Sequence, residues 1–104
     1  MSERANAMRG EAELEVAGQR FLLRPSFSAL VAAEDELGSL FDLVERAANG
    51  RLLLSELAGL FWHVIQDRPQ CLTRDKFSEA IVAQGMASMT PALKILLTQI
   101  LSGR

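Results

Sequence analysis

The stretch ELEVAGQRFLLRPSFSALVAAEDELG, residues 13–38, changes period half-way along, and that change decides the fold. In its first part Ala12, Leu14 and Val16 alternate with Glu11, Glu13 and Glu15, and after Gly18 the residues Phe21 and Leu23 alternate with Arg20, Leu22 and Arg24. A period of two is that of a half-buried strand, and glycine between two such runs marks a turn. The pattern therefore predicts a β-hairpin over about residues 12–24 with one charged face. Two strands alone are marginal in water, so the Leu14, Val16, Phe21 and Leu23 side must lie on the rest of the chain. Pro25 ends the second strand because it has no N–H for the ladder. Ser26 is a candidate N-cap for a helix over 27–37, with Gly38 placed to close it.

Outward from that stretch the chain reads as helices separated by strong punctuation. Ser39, with Asp42 in the first turn, caps a second helix over 40–48 that Asn49-Gly50 stops. Ser55 and Glu56 open a third, 56–67, closed by Arg68-Pro69 because proline disfavours helical geometry in the residue before it. Thr73 caps a fourth, 74–84, that ends at Gly85, and Thr90-Pro91 opens a fifth, 91–102, with Gly103 past its end. Residues 1–9 show no period and read as a disordered tail. Residues 10–104 read as one α+β domain, mostly α: an N-terminal hairpin packed on a compact bundle of about five short helices.

Bulk properties narrow the function. The 104 residues are 49% apolar, enough for one modest core, and carry a net charge of −2 with no two basic residues adjacent. That balance argues against nucleic acid and anionic membrane surfaces as partners. The N-terminus has no apolar segment of the signal-peptide kind and nowhere do 18 apolar residues run together, so a cytoplasmic protein without a membrane span is expected. Cys71 is the one cysteine and His63 the one histidine, too few for a zinc site within one chain. There is no glycine-rich phosphate loop and no nucleophile–base pair, so neither a catalytic residue nor a cofactor is expected, and an enzyme is the last of the readings.

At 100° per residue, Leu93, Leu96, Leu97, Ile100 and Leu101 form one stripe of the last helix. The third helix carries Leu57, Ala58, Leu60, Phe61, Trp62, Val64 and Ile65 around about half its circumference, which suits a central helix or a partner-binding one. Trp62 lies at the edge of that arc, as a core-boundary residue or an interface anchor. Met86, Met89 and Ile95 lie off the main stripes and are candidates, with Trp62, for an adaptable partner-binding patch. On the first helix the same count gives Phe27, Leu30, Val31 and Leu37 as the apolar stripe, with Glu34 in its middle and Asp35 and Glu36 outside. A carboxylate there needs an arginine, backbone N–H groups or solvent. The free N–H groups of the next helix and Arg24 or Arg20 are at hand, so Glu34 and Arg24 are read as a structural clamp. The hairpin edge and the wide third helix are the surfaces on which two copies would pair.

The order of these elements, with FLLRPSFSAL (21–30), Glu34, Leu37-Gly38-Ser39-Leu40, GRLLLSELAGLF (50–61) and EAIVAQG (79–85), resembles the small gene transfer agent family proteins, relatives of phage tail assembly chaperones. Arg24, Pro25 and Ser26 match the family's arginine-proline-hydroxyl run, Glu34 its mid-helix glutamate and Gly85 the glycine ending its fourth helix. The resemblance implies a non-enzymatic assembly factor from a prophage-like setting, which binds the helical tape-measure protein, keeps it soluble and helps tail tube protein polymerise around it. The alternatives are a structural component retained in the finished tail and a general helical adaptor.

Overall fold

The hairpin forms because its two strands meet through a turn of only two residues. In the computed structural model, which describes residues 12–102, β1 (Ala12–Val16) and β2 (Gln19–Leu23) pair antiparallel with Leu14 opposite Phe21 and Val16 opposite Gln19. Ala17 and Gly18 both take positive φ, 54° and 76°, as the tight turn matching the twist of the strands requires. Ala12, Leu14 and Val16 are buried while Glu13 and Glu15 are exposed, so the strand has one wet face. The expected tail over 1–9, the charge of Glu11 and the stop at Gly103 fall outside the described residues.

Five α-helices follow: α1 (Phe27–Leu37), α2 (Leu40–Ala48), α3 (Leu54–Val64), α4 (Arg74–Gln84) and α5 (Thr90–Ser102), with a short 3₁₀ turn over Met86–Met89 before the last. The domain is α+β and mostly α. Caps fix four starts: Ser26, Ser39 and Thr73 accept from the backbone N–H of Ala29, Asp42 and Lys76, and the Glu56 carboxylate reaches back to the N–H of Leu53. Gly38 and Gly85, at φ 88° and 100°, donate to the carbonyls of Glu34 and Ile81 and close α1 and α4.

The third helix differs from its expected bounds at both ends. It starts at Leu54, since Glu56 caps Leu53 and not Ser55, and it stops at Val64 instead of running to Asp67. Ile65–Gln66 is extended and forms β3, which pairs antiparallel with Leu22–Leu23 and makes a three-stranded sheet in the order β1-β2-β3. Leaving the helix places Ile65 in the core, where it is 6% exposed, and gives the free side of β2 a partner. Arg24 extends that junction, donating its backbone N–H to the carbonyl of Val64 at 2.8 Å.

α3 is the central element, with Leu57, Ala58, Gly59, Leu60, Phe61 and Val64 all buried. The inner face of the sheet covers α4 and α5, and Phe21 meets Phe77 edge-on at 5.8 Å between ring centres. α5 contributes Ala92 and Leu96 fully, with Leu93, Leu97 and Ile100 packed at the margin, while Leu101 of the expected stripe is exposed.

The face that α1 buries is rotated from the one its large residues suggest. Ala33 is its fully buried residue, flanked by Ala29, Leu30 and Leu37, whereas Phe27 is 85% exposed and Val31 is also exposed. Glu34 therefore faces solvent, a correction to its expected place within a buried stripe.

Candidate functional site

The polar feature that ties the helices together is built on Glu36, not Glu34. Arg74, the first residue of α4, donates Nη1 and Nη2 to the two oxygens of Glu36 at 2.7 and 2.5 Å, a fork-on-fork pair. His63, near the end of α3, lies with Nε2 2.7 Å from Glu36 Oε1. One carboxylate of α1 thus holds α3 and α4. The bonds from Arg74 and then His63 draw its pKa from 4.5 down to about 2. Gly59 makes the crossing passable: a Cβ there would stand 2.7 Å from Arg74 Nη2 and 3.2 Å from Leu37 Cδ2.

Two further ties cross long distances in the chain. Gln84, the last residue of α4, donates Nε2 to the carbonyl of Glu15 at 2.6 Å and accepts the N–H of Ala17 at 3.1 Å, gripping the hairpin turn by its backbone. Arg46 of α2 donates to Glu56 at 2.5 Å, and that bond, with the N–H of Leu53, lowers the carboxyl pKa of Glu56.

Beside the Glu36 network an open groove of about 440 Å³ runs between the first turns of α3 and the length of α4. Its floor is Ala58, which is buried, and its walls carry Leu54 and Val82, which are 39% and 56% exposed. Asp75 and Glu79, one turn apart on α4, stand along it with Ser78 between. Arg74 also borders the groove, but its guanidinium is committed to Glu36. The sequence reading missed this groove because Leu54 and Val82 are isolated in their own helices and only the packing of α3 on α4 brings them together.

The residues singled out from the sequence do not gather in one place. Glu34 accepts the N–H of Leu40 at 3.2 Å, across the break between α1 and α2, while Arg24 joins β2 to the end of α3 through its backbone. Trp62 is half-buried, packs on Phe77 at 5.8 Å, and is capped by the Arg68 guanidinium 4.5 Å from its ring centre. Met89 is 1% exposed and belongs to the core, a correction to its expected surface position, whereas Met86 and Ile95 are exposed at 41% and 38%. Burial of Met89 follows from the 3₁₀ turn, which rolls its side chain under α5 and leaves Met86 outside. Among the described residues no three His, Cys, Asp or Glu side chains are placed to hold a metal, and no single helix is long and apolar enough to cross a membrane.

A family model described as phage tail tube protein, GTA-gp10, matches residues 9–103. The chain belongs to that family. Its resemblance to gene transfer agent proteins is thereby placed on the whole described fold, and the role that goes with membership is one in phage or gene-transfer-agent tails, in company with other tail proteins. No curated protein and no solved structure is significantly similar to it.

Proposed function

We propose that the chain is a non-enzymatic tail assembly factor, acting in the cytoplasm, that binds the helical tape-measure protein, keeps it soluble and promotes assembly of the tail tube around it. The observation that carries this reading is surplus apolar surface on a small acidic domain: Phe27, Phe41, Leu53 and Val82 are 85, 74, 60 and 56% exposed. Single exposed apolar residues are ordinary, but Leu54 and Val82 lie on the two walls of one open groove. A long amphipathic helix waiting to be enclosed by a tube exposes an apolar stripe that such a surface can cover.

Co-expression with the tape-measure protein from the same gene neighbourhood, followed by size-exclusion chromatography with light scattering, tests the reading. Co-elution, with the long protein soluble only in the presence of this one, is the expected result. Separate elution with an insoluble tape measure refutes it. The family description itself favours a second reading, a component retained in the finished tail. Purified particles that contain the chain in stoichiometric amount would decide for that alternative, and particles that lack it for a factor released after assembly.

A further inference from the structure

We propose that the α3–α4 groove is the docking site for one apolar ridge of a partner amphipathic helix whose ridge is flanked by lysine or arginine. The assignment rests on the tape-measure reading above and gives that partner a surface and a chemistry. Three observations carry it. The groove follows α4 from Arg74 to Val82, about 12 Å of helix. That length takes two turns of a partner helix, which is an i, i+4, i+7 set of side chains laid between Leu54 and Val82 over the small floor residue Ala58.

The second observation is the charge at the rim. Asp75 and Glu79 lie one turn apart on the exposed side of α4; of the cations near them, Arg74 is held by both oxygens of Glu36 and Lys76 lies outside the groove lining. An apolar ridge entering between them meets two carboxylates that call for cations, and a ridge flanked by acids is repelled. The third is that Phe41, 74% exposed and among the most exposed apolar residues of this chain, does not suit that rim. Phe41 adjoins Asp42 and follows Leu40, whose N–H is held by Glu34, so offering it to a second copy would set acid against acid. The acidic rim therefore selects a basic-flanked partner helix.

The test uses the full chain, co-expressed tape-measure protein and two synthetic helical peptides with the same leucine ridge, one flanked by lysines and one by glutamates. Val82→Glu and Leu54→Ser alter opposite, solvent-exposed walls, and their thermal melts are matched to the wild type. The wild type is expected to bind the lysine peptide at least about tenfold more tightly than the glutamate peptide, with the order reversed by Asp75→Lys with Glu79→Lys. Val82→Glu and Leu54→Ser should both lose the tape-measure protein. If the wild type holds that protein and both wall variants hold it equally well, the groove assignment is overturned while the assembly-factor reading stands. If the wild type does not hold it, the assembly-factor reading falls, and the peptide pair decides the groove alone: equal binding of both peptides overturns it, a lysine preference reversed by the charge swap supports it. A concentration-dependent dimer that Val82→Glu dissociates also overturns it, in favour of a second copy.

Discussion

Replacing Glu36 with Gln removes the charge that holds α1, α3 and α4 at one point, and the pH dependence of the loss separates an ion pair from mere shape. A fall in pKa from 4.5 to about 2 corresponds to about 3.4 kcal/mol at about 1.36 kcal/mol per tenfold change. The Glu36 and Arg74 side chains are 39% and 36% exposed, so water screens the pair and its share of stability is on the order of 1 kcal/mol. The folded-state pKa is depressed, so the folded protein releases this proton more readily than the unfolded chain. The stabilisation is therefore complete above pH 4.5 and is lost as pH falls from 4.5 toward about 2. Glu36→Gln should lower the melting temperature by about 4 °C at pH 7. The gap to the wild type should largely close at pH 2, because there the native carboxyl is already about half protonated and most of the linked stabilisation has been lost. Circular dichroism melts of both proteins across that range measure it, with Asp35→Asn as a neighbouring exposed control. A deficit as large at pH 2 as at pH 7 would refute the electrostatic account.

Other perturbations address the remaining ties. Gln84→Ala deletes both bonds to the hairpin turn and should cost about 1 kcal/mol, with faster amide exchange at Ala17 than at Leu14; unchanged protection of Ala17 would show that the glutamine is not what holds the turn. Ala17→Asn puts the preferred Asn-Gly pair into a turn whose first residue sits at φ 54°, and a gain of about 0.5–1 kcal/mol in urea denaturation is expected. Gly59→Ala forces a Cβ to within 2.7 Å of Arg74 Nη2 and should cost about 1–3 kcal/mol. Because much of that cost is the displaced guanidinium, combining it with Glu36→Gln should cost less than the two separate losses added together.

Much of the architecture was legible because it is written in local rules. The alternation over 12–24, the hydroxyl caps at Ser26, Ser39 and Thr73, and the glycines at 38 and 85 each act within a few residues, and each sits in the structure where those rules place it. The groove, the Gln84 grip and β3 were not legible for the converse reason. Gln84 and Ala17 are 67 residues apart, Leu54 and Val82 meet only when α3 packs on α4, and Ile65 leaves its helix to satisfy a strand whose position depends on the whole fold. The expected end of α3 at Asp67 was displaced by the same competition, in which a hydrogen-bonded place beside β2 outweighed continued helical spacing.

The misplacement of Glu34 has a more general physical cause. A stripe counted from large apolar residues assumes that size marks the buried face, and on α1 the largest, Phe27, stays in solvent together with Val31. The face that α1 turns to α3 is built around Ala33, opposite a helix that itself carries Ala58 and Gly59, and there Leu37 already comes within 3.2 Å of where a Gly59 Cβ would be. Close approach of two helices selects small residues, which weigh little in any hydrophobic count. Rotating the stripe onto Ala33 carries Glu34 outward and Glu36 to the rim of the α1–α3 contact, where its carboxylate reaches both His63 and Arg74. The alanine and glycine that make the contact close are thus what bring the ion pair together, and restoring bulk at Gly59 should undo both at once.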